Sequence, residues 1–260
     1  MKRWHAILLA GKRPGEDPFA RQFGAEWKAL IPVAGQPMVV RCLSTLLAVE
    51  AIGKVTLLTQ EPEALLAHPA LQRFAGEARL EAKRSGSGIA SSIIDVAQSP
   101  DAQWPILVTT ADHVLLTPET ITRFLTRAGG VDVAVGVVER RTVLAAYPEN
   151  RRTWLHFKGG SWTGANLFAL NGVGALKALA LWADVEQHRK KGWRLIARFG
   201  PWLLIRALTR TISLERAMAV AGKRLGLTAR PVALTDPLAA IDVDKPSDHA
   251  LAEAVLAEKK

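Results

Sequence analysis

The residue types suited to chemistry lie in a few separated stretches of the chain. Near its start, Ala6-Ile7-Leu8-Leu9-Ala10-Gly11-Lys12-Arg13-Pro14-Gly15 closes an apolar run on small residues bearing two cations. Lys28-Ala29-Leu30 follows, then Gly35-Gln36-Pro37-Met38. Such a turn suits a triphosphate. Glycine lets backbone N–H groups approach phosphate oxygens, while Lys12, Arg13 and Lys28 offer mobile charge against roughly four negative charges. Neither the dinucleotide fingerprint nor the P-loop spacing is satisfied, because Gly11 and Gly15 are not followed by Gly-Lys-Ser/Thr. The glycines alone specify no more than a strand-to-loop turn.

Val108-Thr109-Thr110-Ala111-Asp112-His113 places a carboxylate where an apolar strand pattern ends, the edge at which open parallel sheets bind ligands. An aspartate there also serves as a turn or helix cap, and His113 reads as a space-filling residue. Far along the chain, Ile241-Asp242-Val243-Asp244-Lys245-Pro246 offers two more carboxylates, on one face if the segment is extended. Asp-x-Asp before a helix is also a common cap. In Arg84-Ser85-Gly86-Ser87-Gly88-Ile89-Ala90-Ser91, small hydroxyl residues at a helix start present donors to a phosphate or a base edge, or simply cap the helix. Arg140, Arg141, Arg151 and Arg152 flank Tyr147-Pro148, and Thr163-Gly164-Ala165-Asn166 follows. Guanidinium forks suit a phosphorylated acceptor, with Thr163 and Asn166 positioning it; a solvated basic loop is an equal reading.

Taken together, these stretches resemble the MobA-like nucleotidyltransferases, whose first motif runs Leu-Ala-(Ala)-Gly-x-(x)-Arg, then Lys-x-Leu, then Gly-x-Pro-Met. The likeness covers residues 5 to about 170 and 230 to 256. Departures are a single Ala-Gly pair, Trp27 where proline often precedes the lysine, Lys245 for a threonine and His249 for a leucine. The resemblance implies an α/β fold: a Rossmann-like three-layer sandwich with a mostly parallel central sheet, of the glycosyltransferase-A-like kind, plus a basic helical insert. It implies Mg²⁺ held by Asp112 and Asp244, with Arg13 and Lys28 as catalytic cations at the α-phosphorus and the leaving pyrophosphate. Nucleotide contacts are expected at Leu9, Ala10, Gly11, Lys12, Gly15, Ser85, Gly86, Ser87, Ser91 and Ala111, and acceptor contacts at Arg151, Arg152, Thr163 and Asn166.

The activity implied is transfer of a nucleoside monophosphate from an NTP to a sugar, polyol or alcohol phosphate, releasing pyrophosphate. CTP is favoured by analogy with enzymes that activate phosphorylated alcohols. A molybdenum-cofactor guanylyl- or cytidylyltransferase, a nucleotide-sugar-dependent glycosyltransferase and a catalytically silent nucleotide-binding protein are the alternatives.

The elements that must position these residues follow from patterning. Alternating apolar runs and helical stretches predict strands over 5–9, 55–59, 80–82, 106–110, 131–138, 166–170 and 230–234. Helices are predicted over 37–50, 89–98, 117–128 and from 245, three of them opening on a proline in the first turn. Residues 139–164 read as polar and irregular, and 173–225 as helical with breaks at Gly192, Gly200-Pro201 and Gly222. One domain is expected over 1–260, with 173–228 as a basic helical insert or lid.

With 49% hydrophobic and 22% charged residues, the 260-residue chain is of the folded globular class. Its one cysteine, Cys42, excludes a disulfide framework and fits a reducing compartment. No stretch approaches the roughly 20 apolar residues of a membrane span, and the basic start lacks a cleavage-like site. A cytoplasmic protein is expected. The net charge of +10 is uneven: Lys177 to Arg230 holds twelve Lys or Arg against three acids. Within it, 189–210 carries Trp193 and Trp202 among basic residues, suiting either a lid packed on the core or contact with the anionic inner face of a membrane. No nucleic-acid motif is present, and no nucleic-acid partner is expected.

Overall fold

The computed structural model describes residues 3–11, 15, 17–86, 88–187 and 199–258. In chain order these residues form β1 (Trp4–Leu9), α1 (Pro18–Gln22), β2 (Pro32–Val33), β3 (Gln36–Pro37), α2 (Met38–Ala48), β4 (Ile52–Thr59), α3 (Pro62–Ala67), β5 (Leu80–Arg84), α4 (Ile89–Ala97), β6 (Ile106–Thr110) and α5 (Pro118–Ala128). There follow β7 (Val133–Glu139), α6 (Arg140–Ala146), β8 (Leu155–Phe157), β9 (Gly160–Leu170), α7 (Leu176–Gln187), α8 (Pro201–Leu208), α9 (Leu214–Leu225), β10 (Ala229–Leu234) and α10 (Pro246–Glu258).

The main sheet runs β10-β7-β9-β6-β1-β4-β5, with β8 paired to β9. Every pair in it is parallel except those made by β9, which runs antiparallel to β6, β7 and β8. Successive side chains of β1 point to opposite faces, so Ala6 and Leu8 enter one core while Ile7 enters the other. The first core is closed by α2, α5 and α10 through Val39, Leu43, Phe124 and Ala252; the second by α4 and α7 through Ile93, Val96 and Leu179. This is a three-layer α/β sandwich with a mostly parallel sheet.

Local chemistry sets the helix starts. Thr117 caps α5, its hydroxyl accepting from Thr120 N at 3.2 Å, with Pro118 at the first helical position. Ser213 caps α9 in the same way, and Gly226 ends it at φ +67°.

The expected irregular region 139–164 instead holds α6, β8 and the first half of β9. Gly159, at φ +89°, turns β8 back on β9, and pairing with β7 continues β9 over Thr163 and Gly164. The basic segment is not of one kind. Helix α7 packs on α4 and α9 packs on β10, whereas α8 buries none of its residues. No helix among the described residues is long and apolar enough to cross a membrane.

Candidate active site

Strands β1 and β6 lie side by side in parallel, with Leu9 opposite Thr110. Both therefore leave the sheet at its carboxyl edge, where an open α/β sheet binds ligands. Ala111 N donates to Leu9 O at 2.9 Å and Ala10 N to Leu58 O at 2.9 Å, which sets the Gly11 turn beside the Asp112 turn. Gly11 lies close against Gln60: a Cβ at that position would stand 3.1 Å from the Gln60 amide nitrogen. Gly15 takes φ +92°, a backbone state that favours glycine. From β5, Ser85 N donates to Thr59 O at 2.8 Å, bringing the Ser85-Gly86 turn to the same edge.

Lys28, on a single 3₁₀ turn (Lys28–Leu30), reaches into this edge. Its ammonium lies 2.6 Å from Asp112 Oδ2 and also bonds Asp244 Oδ1. Burial alone would lower the Lys28 pKa, but the two carboxylates outweigh it and hold it above its ordinary value. Thr110 Oγ1 donates to Asp112 Oδ1 at 2.6 Å and so orients the carboxylate. Val243 N donates to the Asp112 carbonyl at 2.9 Å, joining the two acidic loops through backbone. Asp248 accepts from Asp244 N at 3.3 Å; burial raises its carboxyl pKa. The Lys28 loop is held from α10, where His249 Nε2 meets Pro32 O at 2.7 Å and Glu253 accepts from Ala34 N at 2.7 Å.

Asp242 does not share the partner of Asp244. Residues 241–244 pair with no strand and follow a 3₁₀ turn (Pro237–Ala240), and the two aspartates engage different partners. Asp242 Oδ1 takes the Arg152 guanidinium, and Asp242 Oδ2 accepts from Asn166 Nδ2 at 3.1 Å. Burial pushes the Asp242 carboxyl up, yet Arg152 prevails and holds it below the usual value. Asn166 does this from φ +45°, a state that asparagine tolerates better than most residues. His113 is fully buried beside these groups, and burial pushes it down to about 4 against the pull of Asp112 and Asp242. The Ala239 backbone approaches its ring, but neither ring nitrogen has a partner in good hydrogen-bond geometry. Cys42 of α2 donates to Ala111 O at 3.3 Å within the core that both residues share; burial raises its thiol pKa.

Of the expected nucleotide contacts, Leu9, Ala10, Gly11, Ser85, Gly86 and Ala111 meet along one edge, while Ser91 turns inward to donate to Gly88 O at 3.0 Å. The first turn of α4 is met from α7, with Glu186 Oε2 accepting from Ala90 N at 3.1 Å. The Ser85 hydroxyl is buried and has no hydrogen-bond partner among the described residues. On the acceptor side, Arg152 and Asn166 converge on Asp242, and Thr163 is buried on β9 opposite Val138. Arg151 instead borders a separate cleft of about 500 Å³, with Tyr147, Asn150 and Lys245. Lys12, Arg13 and Ser87 lie outside the described residues, as do 188–198, with Gly192 and Trp193 among them.

Sequence reasoning passed over Thr110, Gln60 and the Asp242 clasp. Thr110 carried a readable signal, a hydroxyl two residues before a carboxylate at a strand end. The clasp carried none, because its partners are 90 and 76 residues apart.

Two carboxylates gathered on one cation are hard oxygen donors. Such a set suits Mg²⁺, which takes one or two carboxylates and completes its shell with phosphate oxygens and water. Among the described residues no group of three or more His, Cys, Asp or Glu could hold a metal ion, so a site closed entirely by protein ligands is not what these residues build.

Fold and site together define a nucleotidyltransferase of the glycosyltransferase-A-like fold. The chain belongs to the MobA-like NTP transferase domain family, whose model matches residues 6–198. A hypothetical transferase from Thermus thermophilus is similar at 28% identity and TM-score 0.79, covering 95% of this chain and 99% of that one. Two more distant structures share the fold. The 4-diphosphocytidyl-2C-methyl-D-erythritol synthase of Anaerococcus prevotii is 10% identical, with TM-score 0.59 over 98% of this chain and 96% of that one. A CMP:2-keto-3-deoxy-manno-octonic acid synthetase complexed with CTP is 14% identical, with TM-score 0.58 over 99% and 100%. No curated protein matches the sequence.

Proposed function

We propose that the chain transfers a nucleoside monophosphate, CMP in the first instance, from its triphosphate to the phosphate of a sugar, polyol or alcohol phosphate. The observation that carries this reading is the convergence of Lys28, Asp112 and Asp244 beside the Gly11 turn. CTP is supported by the cytidylyl products and the CTP named for the distant fold relatives.

An acceptor phosphate oxygen is already anionic at neutral pH, so no general base is required. That oxygen attacks the α-phosphorus in line. The bond from the α-phosphorus to the oxygen bridging the β-phosphorus breaks, and its electron pair leaves with pyrophosphate. Catalysis then rests on positioning and on charge placed where charge develops. Backbone N–H groups of the Gly11 turn hold the β and γ phosphates, Lys28 neutralises charge at the α-phosphorus, and Arg13 is assigned to the leaving pyrophosphate. Mg²⁺ bound by Asp112 and Asp244 would supply further neutralisation on the phosphate oxygens. Ser85 and Gly86 border the nucleoside. On the acceptor side, Arg152 and Asn166 act as positioning residues through Asp242.

The deciding experiment is a matrix of four NTPs against a panel of sugar, polyol and alcohol phosphates with Mg²⁺, read out as pyrophosphate. Pyrophosphate formed only when both substrates are present supports the proposal, and the active pair names them. Consumption of a nucleotide sugar with no pyrophosphate from any NTP would overturn it in favour of glycosyl transfer.

A further inference from the structure

Three of the seven large apolar side chains most exposed among the described residues sit on one short helix. Trp202, Ile205 and Leu208 of α8 are 67%, 48% and 73% exposed. At three-residue spacing they fall within an arc of about 120° on the helix surface. The helix is held through its flanks: Arg224 of α9 lies against Gly200 before it, and beyond it the chain buries Ile212, whose carbonyl accepts from Lys158 N at 2.9 Å. Pro201 occupies its first turn, Gly200 precedes it at φ +74°, and at the other end Arg206 Nη2 donates to Thr211 O at 3.3 Å. Its neighbours α7 and α9 bury Leu179, Leu181, Leu214 and Ala217, while α8 buries nothing.

Charge selects the occupant of that face. Arg206 and Arg210 lie beside the three apolar residues, in a segment of twelve cations and three acids that holds nearly all of the chain's net +10. A second copy would bring two such segments together, and their repulsion opposes pairing. A nucleic acid would match the charge but leave the tryptophan and two aliphatic side chains in water. An anionic bilayer matches both features, since apolar side chains sink to the acyl boundary while arginines stay among lipid phosphates.

We propose that α8 docks the protein on anionic phospholipid bilayers, with Trp202, Ile205 and Leu208 inserted and Arg206 and Arg210 at the headgroups. The docking is independent of the transfer chemistry, and its test does not use activity.

The test is co-flotation of the full chain with phosphatidylcholine vesicles made with and without phosphatidylglycerol, at low and high salt. The wild-type protein is expected to float with the anionic vesicles at low salt and to stay down with pure phosphatidylcholine. Trp202→Ser/Ile205→Ser/Leu208→Ser should weaken partitioning on the order of tenfold or more at an unchanged melting temperature. Leu208→Ser alone, at the last helical position, serves if the triple variant does not fold. Brominated lipid should quench tryptophan emission in the wild type and quench it less in Trp202→Phe. Failure to float at low salt overturns the proposal. So does flotation of the serine variants equal to wild type, which would mean surface adsorption by charge alone. A serine variant that changes the sedimentation coefficient but not vesicle binding would assign the face to a second copy and overturn it as well.

Discussion

The Lys28 ammonium stands 2.6 Å from Asp112 Oδ2 although 84 residues separate them, and it bonds Asp244 as well. One cation thus draws together three loops that the sequence keeps far apart. Asp112→Asn and Lys28→Met each remove one charge from the point where phosphate charge would be handled. Each is expected to lower pyrophosphate release about 10²–10³-fold, the usual cost of one preorganised electrostatic contact. The loops are also held by backbone bonds, Val243 N to Asp112 O among them, so both variants should keep the native fold by circular dichroism, although Lys28→Met leaves two carboxylates without their cation and should melt lower than wild type. Near-native turnover in both variants would reject the assignment.

The same contact predicts a competition. A divalent ion held by Asp112 and Asp244 would share these carboxylates with the Lys28 ammonium, whose positive charge opposes its binding. Lys28→Met should therefore bind Mn²⁺ more tightly than wild type in the absence of nucleotide, on the order of tenfold, while turning over more slowly. Calorimetric titration of both proteins with Mn²⁺ checks this. Weaker binding by the variant would show that the lysine does not stand where the metal goes.

Arg152 and Asp242 form a pair with 13% and 19% of their side chains exposed. Removing one member of a buried pair leaves the other charge uncompensated, which costs about 3–5 kcal/mol. Arg152→Met is expected to fall in that range by urea denaturation, and Arg152→Met/Asp242→Asn should recover a good part of the loss. A single variant as stable as wild type would mean that the pair contributes little and that Arg152 is free to serve an acceptor.

What could be read from the sequence was whatever is local and continuous. Strands β1 and β6 stand out because they are short Ile, Leu and Val runs broken by glycine or followed by an aspartate, and α5 because Thr117-Pro118 marks its start. The first half of β9 was hidden: Gly160-Ser161-Trp162-Thr163-Gly164 has loop composition, and its extended state comes from pairing with β7 and β8. Helix α6 lacks a side-chain cap, so nothing in Arg140–Ala146 announces its start. Asp112 and Asp244 could be picked out as candidates by motif, and their meeting at Lys28 is tertiary. The separate role of Asp242 was out of reach because it depends on Arg152 and Asn166, partners 90 and 76 residues away.

A last prediction concerns His5, in β1 at the sheet end opposite the site. Thr56 Oγ1 donates to Glu81 Oε1 at 2.6 Å, so it must accept from His5 Nε2, 2.7 Å away; this places the proton on Nε2 and leaves Nδ1 bare and buried. Burial first, and then Lys54, lowers the His5 pKa from 6.5 to about 4. Between those values the unfolded chain binds a proton that the folded chain refuses, so stability falls as pH drops through this window. The contribution is whole above pH 6.5 and spent below about 4. A difference of about 2.5 units corresponds to about 3 kcal/mol across the window. His5→Gln can still offer an amide N–H to Thr56 but does not titrate. Its unfolding free energy, measured by urea at several pH values, should fall less steeply than that of wild type, by up to about 1.4 kcal/mol per pH unit. Parallel profiles for the two proteins would show that His5 is able to carry its proton in the folded state.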